Sequence, residues 1–353
     1  MTSTQSFVPS DGRPLLIAEI SGNHMGSQSR FMELIHSAAE SGADLVKFQT
    51  YTPDTITLPV DTPDFRISPT HDLWGGRTLY SLYQEAMTPW DWQGEGFELA
   101  RSLGIDALSS PFDRSAVDFL EQFNPPAYKI ASLEVTDLDL IDYVSAKGRA
   151  VIISSGAASL GEIAEAVEHA ALAGASEVIP MVCTSAYPAD PADAQLRTIP
   201  AWSTTFGLPV GLSDHTLGIG VAVASIALGG RVVEKHLTLS RADGGVDGAF
   251  SMEPDEFAQL SREMRSAWQA VQGVRTRPIA AEDESRRLRR SLYVAVDVVK
   301  AGDAITRENV RSVRPAGGLP TVRLGELLGR RFGRSARMGT PMSMDLIEAP
   351  RGK

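Results

Sequence analysis

Two histidines, His215 in GLSDHTLG and His236 in VVEKHLTL, stand 21 residues apart, each closing an apolar run in a chain with six histidines. Neutral imidazole is a common ligand of divalent transition ions. A pair brought together could hold such an ion and leave positions open for water and substrate. The same pattern recurs along the chain: apolar runs end on Glu19, on Lys47 and Gln49, on Ser110, on Lys129 and Ser132, on Ser154, on Thr184 and Ser185, on Ser213, and on Glu234 and Lys235. Clustered lysines and hydroxyls are the donors that a phosphate- or carboxylate-bearing substrate requires. A lysine at such a place could instead form a Schiff base with a carbonyl substrate. Polar residues also end strands simply because strand ends meet water, but a lysine inside AYKIAS or a histidine closing an apolar run is hard to account for in that way.

The elements that must carry these residues follow from period and punctuation. Strand-length apolar runs occupy 15–20, 44–49, 105–110, 127–132, 150–155, 177–184, 209–214 and 231–236. Amphipathic helical patterns alternate with them, among them SRFMELIHSAAESG, DRSAVDFLEQF, SLGEIAEAVEHAALAG and TLGIGVAVASIALG, several ending in a C-capping glycine. Near-continuous apolar strands between helices imply a parallel sheet covered on both faces. Eight such units in about 260 residues match a (β/α)8 TIM barrel, whose strand C-termini surround one mouth. That topology gathers the polar run-ends into a single site. The stretch from Thr50 to Gly94, which includes LWGGRTLYSLYQEAMTPWDW, reads as a long loop over that mouth.

The catalytic barrel is assigned to residues 1–275 and a polar linker to 276–290. A small module of short strands and turns takes up 291–353. From Arg286 onward 15 Lys and Arg stand against 6 Asp and Glu, whereas the rest carries 18 basic against 38 acidic residues. The basic residues are scattered without interleaved aromatics, so a basic module docking on an acidic domain is favoured over nucleic-acid binding. With 43% hydrophobic and 22% charged residues, the chain has the composition of an ordinary globular protein. The single cysteine, Cys183, allows no internal disulfide and fits a reducing compartment. The N-terminus lacks a signal-peptide pattern, and no run approaches the ~20 apolar residues of a membrane span. A cytoplasmic enzyme with no membrane or nucleic-acid partner is the expectation.

The motifs IAEISGNHMGS, ADLVKFQTYTPD, SSPFD, YKIAS, CTSAYP, GLSDHT and EKH, in this order, resemble the sialic acid synthases, the NeuB-type enzymes. The tail SLYVAVDVVKAGDAITRENVRSVRPAGGLP resembles their antifreeze-like, or SAF, domain, and the loop after the second strand is most similar to the pseudaminic acid synthase branch. The resemblance implies condensation of phosphoenolpyruvate with the open-chain aldehyde of an N-acetylated hexosamine. Water adds at carbon 2, and phosphate leaves by C–O cleavage. For the pseudaminic branch the sugar is 2,4-diacetamido-2,4,6-trideoxy-altrose. By resemblance, Lys47, Ser110, Lys129, Ser132, Ser154, Ser185, Tyr187 and Ser213 hold phosphoenolpyruvate, while Gln49, Asp247 and Arg314 meet the sugar. Glu19 would activate water or shuttle a proton. His215 and His236 would hold a metal, Mn2+ by resemblance, with Mg2+ or Co2+ also acceptable to such ligands. His24 is a third histidine at the mouth, with no role assigned. Ser185 replaces the asparagine of the CTNxYP pattern in N-acetylneuraminate synthases, which favours the pseudaminic branch. A domain-swapped homodimer, in which Arg314 reaches the other subunit's barrel, is likewise implied by the resemblance alone.

Overall fold

The computed structural model describes residues 6–71 and 73–349. Eight parallel strands close into a barrel in sequence order: β1 (Leu15–Glu19), β2 (Leu45–Thr50), β3 (Asp106–Pro111), β4 (Ala127–Ile130), β5 (Ala150–Ser154), β6 (Glu177–Cys183), β7 (Gly211–Ser213) and β8 (Val232–His236). Each lies within a few residues of the apolar run expected for it. The ring closes where β1 pairs with β8, Glu19 opposite His236. Helices α1 (Gln28–Glu40), α2 (Pro53–Ile56), α3 (Leu79–Ala86), α4 (Trp90–Ser102), α5 (Arg114–Leu120), α6 (Leu138–Ser145), α7 (Leu160–Ala173), α8 (Thr198–Phe206), α9 (Gly220–Ala227) and α10 (Pro254–Ala270) complete the unit.

Side chains alternate across each strand, so every strand serves two cores. Leu15, Ile17, Leu45, Leu108, Ala127, Ile152, Ile179, Met181 and Val232 pack together in the interior. Their neighbours Leu16, Ala18, Val46, Tyr128, Val151, Ile153, Val178 and Val233 pack on the helices. The interior layer fills the lower barrel with hydrocarbon, and the next inward positions along the strands are the polar ones: Glu19, Lys47, Ser110, Lys129, Ser154, Cys183, Ser213 and Glu234. Local signals fix the helix ends. Ser159 and Glu162 cap α7 reciprocally, Ser159 N donating to Glu162 Oε2 at 2.7 Å, and Gly174 ends the helix at φ 111°.

The stretch 50–94 is not the continuous loop that its proline and glycine content suggests. It holds α2 and α3, and α4 begins at Trp90. Thr78 caps α3 by accepting from Ser81 N at 3.2 Å, and Leu82 is the one residue of that helix fully buried. The helical signal was masked because α3 is only eight residues long and is flanked by breakers.

The chain divides into two compact units, Met1–Gln272 and Gly273–Lys353. In the second, strand Ser291–Val294 pairs antiparallel with Val310–Val313, and Val298–Val299 pairs with Ala336–Arg337. These short sheets enclose Leu292, Val294, Ile305, Val310, Leu327, Phe332 and Met342, and fit an additional small β-rich domain. The stretch 276–290, read as linker, falls within this unit. It carries a short helix at Asp283–Arg287, and Ala316 N donates to Arg287 O at 2.9 Å.

Candidate functional site

The centre of the mouth is a buried network of four charged side chains. Glu19 Oε2 lies 2.6 Å from Lys47 Nζ. Glu234 Oε1 lies 3.5 Å from Lys47 Nζ and 3.9 Å from Lys129 Nζ. All four residues are at most 4% exposed. Lys47 also donates to Ser110 Oγ at 3.1 Å, and Ser213 Oγ donates to Glu234 Oε1 at 3.5 Å. Burial raises the pKa of Glu19, and although Lys47 opposes this, the nearby charge of Glu234 adds to it. For Glu234 burial acts in the same sense but is outweighed by Lys129 and Lys47, which hold its pKa low. Lys129 has its pKa pulled down by burial against the charge of Glu234. The two carboxyls are therefore shifted in opposite directions, Glu234 toward its ionised form by the lysines and Glu19 toward its protonated form by burial.

Glu19 is held from several sides. Its Oε1 accepts from Ser21 N at 2.9 Å, from the Ser21 hydroxyl, and from Gln49 Nε2 at 3.2 Å. Ser21 adopts φ 39°, a conformation that non-glycine residues rarely take. In this conformation both its N–H and its hydroxyl point at Glu19.

Beside the lysines lies a cradle of hydroxyls. Gly156 N donates to Ser132 Oγ at 3.1 Å, and Ser132 Oγ lies 3.4 Å from Cys183 Sγ. Among the described residues the buried hydroxyls of Ser154 and Ser185 have no hydrogen-bond partner. A Cβ at position 156 would stand 2.0 Å from Ser185 Oγ and 2.8 Å from Ser132 Oγ, so a side chain in this turn after β5 would have to displace both hydroxyls. Two lysines and hydroxyls without a protein partner among the described residues are groups that could receive an anion with several oxygens.

The two histidines meet, with ring centroids 5.4 Å apart. His215 Nδ1 donates to Thr184 O at 2.8 Å, leaving the lone pair of Nε2 available. Burial and the charges of His215 and Lys47 push the pKa of His236 well down, so its imidazole is neutral. Burial lowers that of His215 too, but the Cys183 thiol beside it outweighs this and the pKa rises. Among the described residues no three His, Cys, Asp or Glu side chains converge as a metal cluster. An ion held by this pair would have two protein nitrogens and would keep other positions for water and substrate, as a catalytic rather than a structural ion does. Behind the pair, on the outward side of the same strands, Lys235 Nζ donates to Asp214 Oδ2 at 2.8 Å and to Thr216 O at 2.6 Å. Both side chains of this ion pair are 1% exposed. Lys235 is therefore not a mouth residue: it clamps the ends of β7 and β8 from outside.

Tyr187 places its ring 4.5 Å from that of His215. Asp247, on the loop after β8, has its carboxyl pKa raised to about 6 by burial and by the charge of Glu19. Arg314 is exposed on the second unit, directly after strand Val310–Val313. His24 is not at the mouth. It is fully buried, its Nδ1 accepts from Gly26 N at 3.1 Å, its Nε2 lies 3.2 Å from Thr88 Oγ1, and its ring meets Trp92 edge-on. The turn Ser21–His24 directs it into the helix layer, and burial lowers its pKa to about 4.

Sequence reasoning placed Glu234 among the polar run-ends without giving it a role, and passed over Cys183, Gly156 and Glu134 as site residues. Alternation from Val232 places Glu234 inside with His236, and the same count from Met181 places Cys183 inside. Glu134, in the turn after β4, has its pKa raised to about 7 by burial, against the charge of Lys129.

The family model described as the NeuB family matches residues 34–276. The chain belongs to the NeuB family. Among relatives in the family, pseudaminic acid synthase of Campylobacter jejuni (serotype O:23/36, strain 81-176) is 38% identical over 93% of this chain and 95% of its own. N,N'-diacetyllegionaminic acid synthase of Legionella pneumophila is 32% identical over 95% and 94%. The crystal structure of N-acetylneuraminic acid synthetase from Leptospira borgpetersenii, in complex with citrate, superposes with a TM-score of 0.69 at 27% identity, covering 78% of this chain and 90% of that one.

The buried His24 makes stability pH-dependent. In the unfolded chain it takes up a proton as pH falls below 6.5, whereas the folded protein resists until about 4. Stability is thus lost across that interval, by about 3 kcal/mol in full. Urea midpoints of the wild type should fall more steeply between pH 7 and pH 4.5 than those of His24→Gln; parallel slopes would refute the assignment. Removing one partner of the Asp214–Lys235 pair, as in Lys235→Met, should cost about 3–5 kcal/mol by urea unfolding. The double variant Asp214→Leu/Lys235→Met should recover much of it.

Proposed function

We propose that this chain is a pseudaminic acid synthase. It condenses phosphoenolpyruvate with the open-chain aldehyde of 2,4-diacetamido-2,4,6-trideoxy-altrose and water, giving the nonulosonic acid and inorganic phosphate. The observation that carries this reading is the convergence of two lysines, a set of hydroxyls and a pair of histidines with ring centroids 5.4 Å apart at one barrel mouth. The 38% identity to a pseudaminic acid synthase over nearly the whole chain supports the choice of sugar.

Lys47 and Lys129, with the hydroxyls of Ser110, Ser132, Ser154, Ser185 and Ser213, hold the phosphate and carboxylate of phosphoenolpyruvate. Tyr187 closes this pocket beside His215. Gln49 and Asp247 meet the sugar from opposite sides of Glu19. Carbon 3 of phosphoenolpyruvate forms the new bond to the aldehyde carbon, whose oxygen takes up a proton. Water adds at carbon 2 and gives its proton to Glu19, and the carbon 2–oxygen bond then breaks, so that phosphate departs with the bridging oxygen. A divalent ion on His215 and His236, Mn2+ in this proposal, would polarise the aldehyde carbonyl. Because both imidazoles are buried and neighboured by hydrogen-bonding groups, they need little rearrangement to serve as ligands.

The proposal extends to the second unit as an SAF-type domain and to a cytoplasmic homodimer in which Arg314 completes the sugar site of the other subunit. A basic module of this kind suits an acidic barrel. Among the described residues no helix is long and apolar enough to cross a membrane. A second reading, synthesis of N,N'-diacetyllegionaminic acid by the same steps, rests on the Legionella relative at 32% identity.

Phosphate release measured with each candidate hexosamine, with and without Mn2+ after exhaustive chelation, separates these readings. The expected outcome is turnover of the altro sugar above the others, dependent on added metal, with 18O from solvent water appearing at carbon 2 of the product and not in phosphate. His215→Ala and His236→Ala should each abolish the metal response. Arg314→Ala should raise the sugar's KM far more than that of phosphoenolpyruvate. Activity that survives chelation would overturn the metal assignment. Borohydride trapping of a covalent adduct on Lys47 or Lys129 would overturn the phosphoenolpyruvate chemistry in favour of a Schiff base.

A further inference from the structure

The motif LWGG does not belong to the charge network, yet the fold builds a support for it. Between α2 and α3 the chain doubles back on itself: Ile67 N donates to Arg77 O at 2.9 Å, Gly76 N to Ile67 O at 3.2 Å, and Arg66 bridges antiparallel to Thr78. The Arg66 guanidinium ties Asp61 Oδ2 at 2.6 Å to the Gly76 carbonyl at 2.8 Å. A Cβ at Gly75 would stand 2.7 Å from the carbonyl oxygens of both Pro69 and His71, and Gly76 turns at φ +78°. The two glycines are thus required by a tight turn, and what that turn presents is Trp74.

Trp74 reaches the loop after β8. Its indole N–H donates to Val246 O at 2.9 Å, one residue before Asp247. His71 stacks on its ring at 4.9 Å. On the other side its ring centroid lies 5.8 Å from that of Tyr187, which lies 5.0 Å from Phe250. Phe250 in turn lies 4.9 Å from the His236 ring. An unbroken run of aromatic rings therefore extends from the β2 loop to the histidine pair. The indole N–H on this run is already engaged, while the polar groups of the mouth, Glu19, Gln49 and Lys47, stand on β1 and β2.

We propose that Trp74 and Tyr187, backed by the buried ring of Phe250, form an apolar wall that seats the deoxygenated carbon-6 end of an N-acylated hexosamine, making Trp74 a specificity-determining residue. This rests on the reading of the site as one that takes such a sugar. A methyl group laid on the ring face of Trp74 gains by leaving water, whereas a hydroxyl laid there gives up its water partners for a ring face that offers no lone pair or N–H in exchange. Such a pocket discriminates against an added hydroxyl by at most about a hundredfold, so the effect is one of preference between sugars.

The test compares the full-length wild type with Trp74→Ala and Trp74→Phe. Each is assayed with a 6-deoxy N-acetylated hexosamine and with its 6-hydroxy counterpart, with phosphoenolpyruvate varied separately. Trp74→Ala is expected to raise the KM of the 6-deoxy sugar about tenfold or more and to erase most of the preference for it, leaving the phosphoenolpyruvate KM within about twofold. Trp74→Phe, which keeps a ring and loses the bond to Val246, should lie between. The preference is a ratio measured on one folded variant, so a general loss of stability cannot imitate its disappearance. An unchanged preference in Trp74→Ala, or an equal rise in both KM values, would overturn the wall. If the wild type prefers a different 6-deoxy N-acetylated hexosamine over the altro sugar, the proposed substrate fails while the wall is still tested with that sugar. A wild type that favours the 6-hydroxy sugars would overturn the wall directly.

Discussion

Glu19, Lys47, Lys129 and Glu234 are two acids and two bases buried in contact, and the rest of the molecule is arranged to make that tolerable. Removing four charges from water costs several kcal/mol per ion unless each finds partners. The barrel supplies them by geometry: β1 and β2 pair Glu19 with Lys47 in register, and closure through β8 brings Glu234 against lysines from β2 and β4. The contacts are unequal. Glu19–Lys47 is tight at 2.6 Å, whereas Glu234 holds its lysines at 3.5 and 3.9 Å. An arriving anion with several oxygens can therefore take up the charge of Lys129 and part of that of Lys47 without dismantling the Glu19 pair. The hydrocarbon layer below, Ile17, Leu108, Ile152 and Ile179, keeps the floor dry, which strengthens every one of these attractions.

The same two-residue alternation divides β8 between chemistry and support. Glu234 and His236 face the interior, and Lys235 between them faces the helices and pairs with Asp214, which itself lies between Ser213 and His215 on the neighbouring strand. One ion pair thus fixes the spacing of two strand ends, and with it the distance between two imidazoles. The support is charged yet almost wholly buried, so it depends on both partners being present. A hydrophobic pair of the same volume could hold the strands together but would offer the Thr216 carbonyl no donor.

Much of this was legible in the sequence, and each exception has its own physical reason. Strand positions could be read because each run is nearly continuous in apolar residues and short. Site residues such as Lys129 stood out because a charge buried inside such a run is costly and survives only where it has work to do or a partner to meet. Glu234 was harder, since EKH offers three capable side chains in a row and only the count from Val232 says which face inward. The role of Cys183 is likewise one of phase. Gly156 could not be recognised, because what a side chain there would meet is Ser185, 29 residues away. His24 was misplaced for the converse reason: residue type suggested the mouth, while the turn at Ser21–His24 sends the ring toward Trp92. Helix α3 was hidden by the prolines and glycines around it.

The distribution of groups around the mouth also explains where a sugar can be read. The strands carry the cations and hydroxyls, and Lys47, with contacts to Glu19, Glu234 and Ser110, ties several of them into one network, so a change there disturbs more than one group. The loops after β2 and β8 carry Trp74, Asp247 and Phe250, whose backbone is built from local turns and does not enter the barrel ladder. Substitutions on these loops can alter the shape and polarity of one side of the site while the anion pocket stays intact. The Trp74–Val246 bond joins the two loops, so their side chains are positioned by each other and not only by the strands beneath. The packing thus separates a fixed centre of strand-borne charges and hydroxyls from a linked pair of loops that can vary without disturbing it.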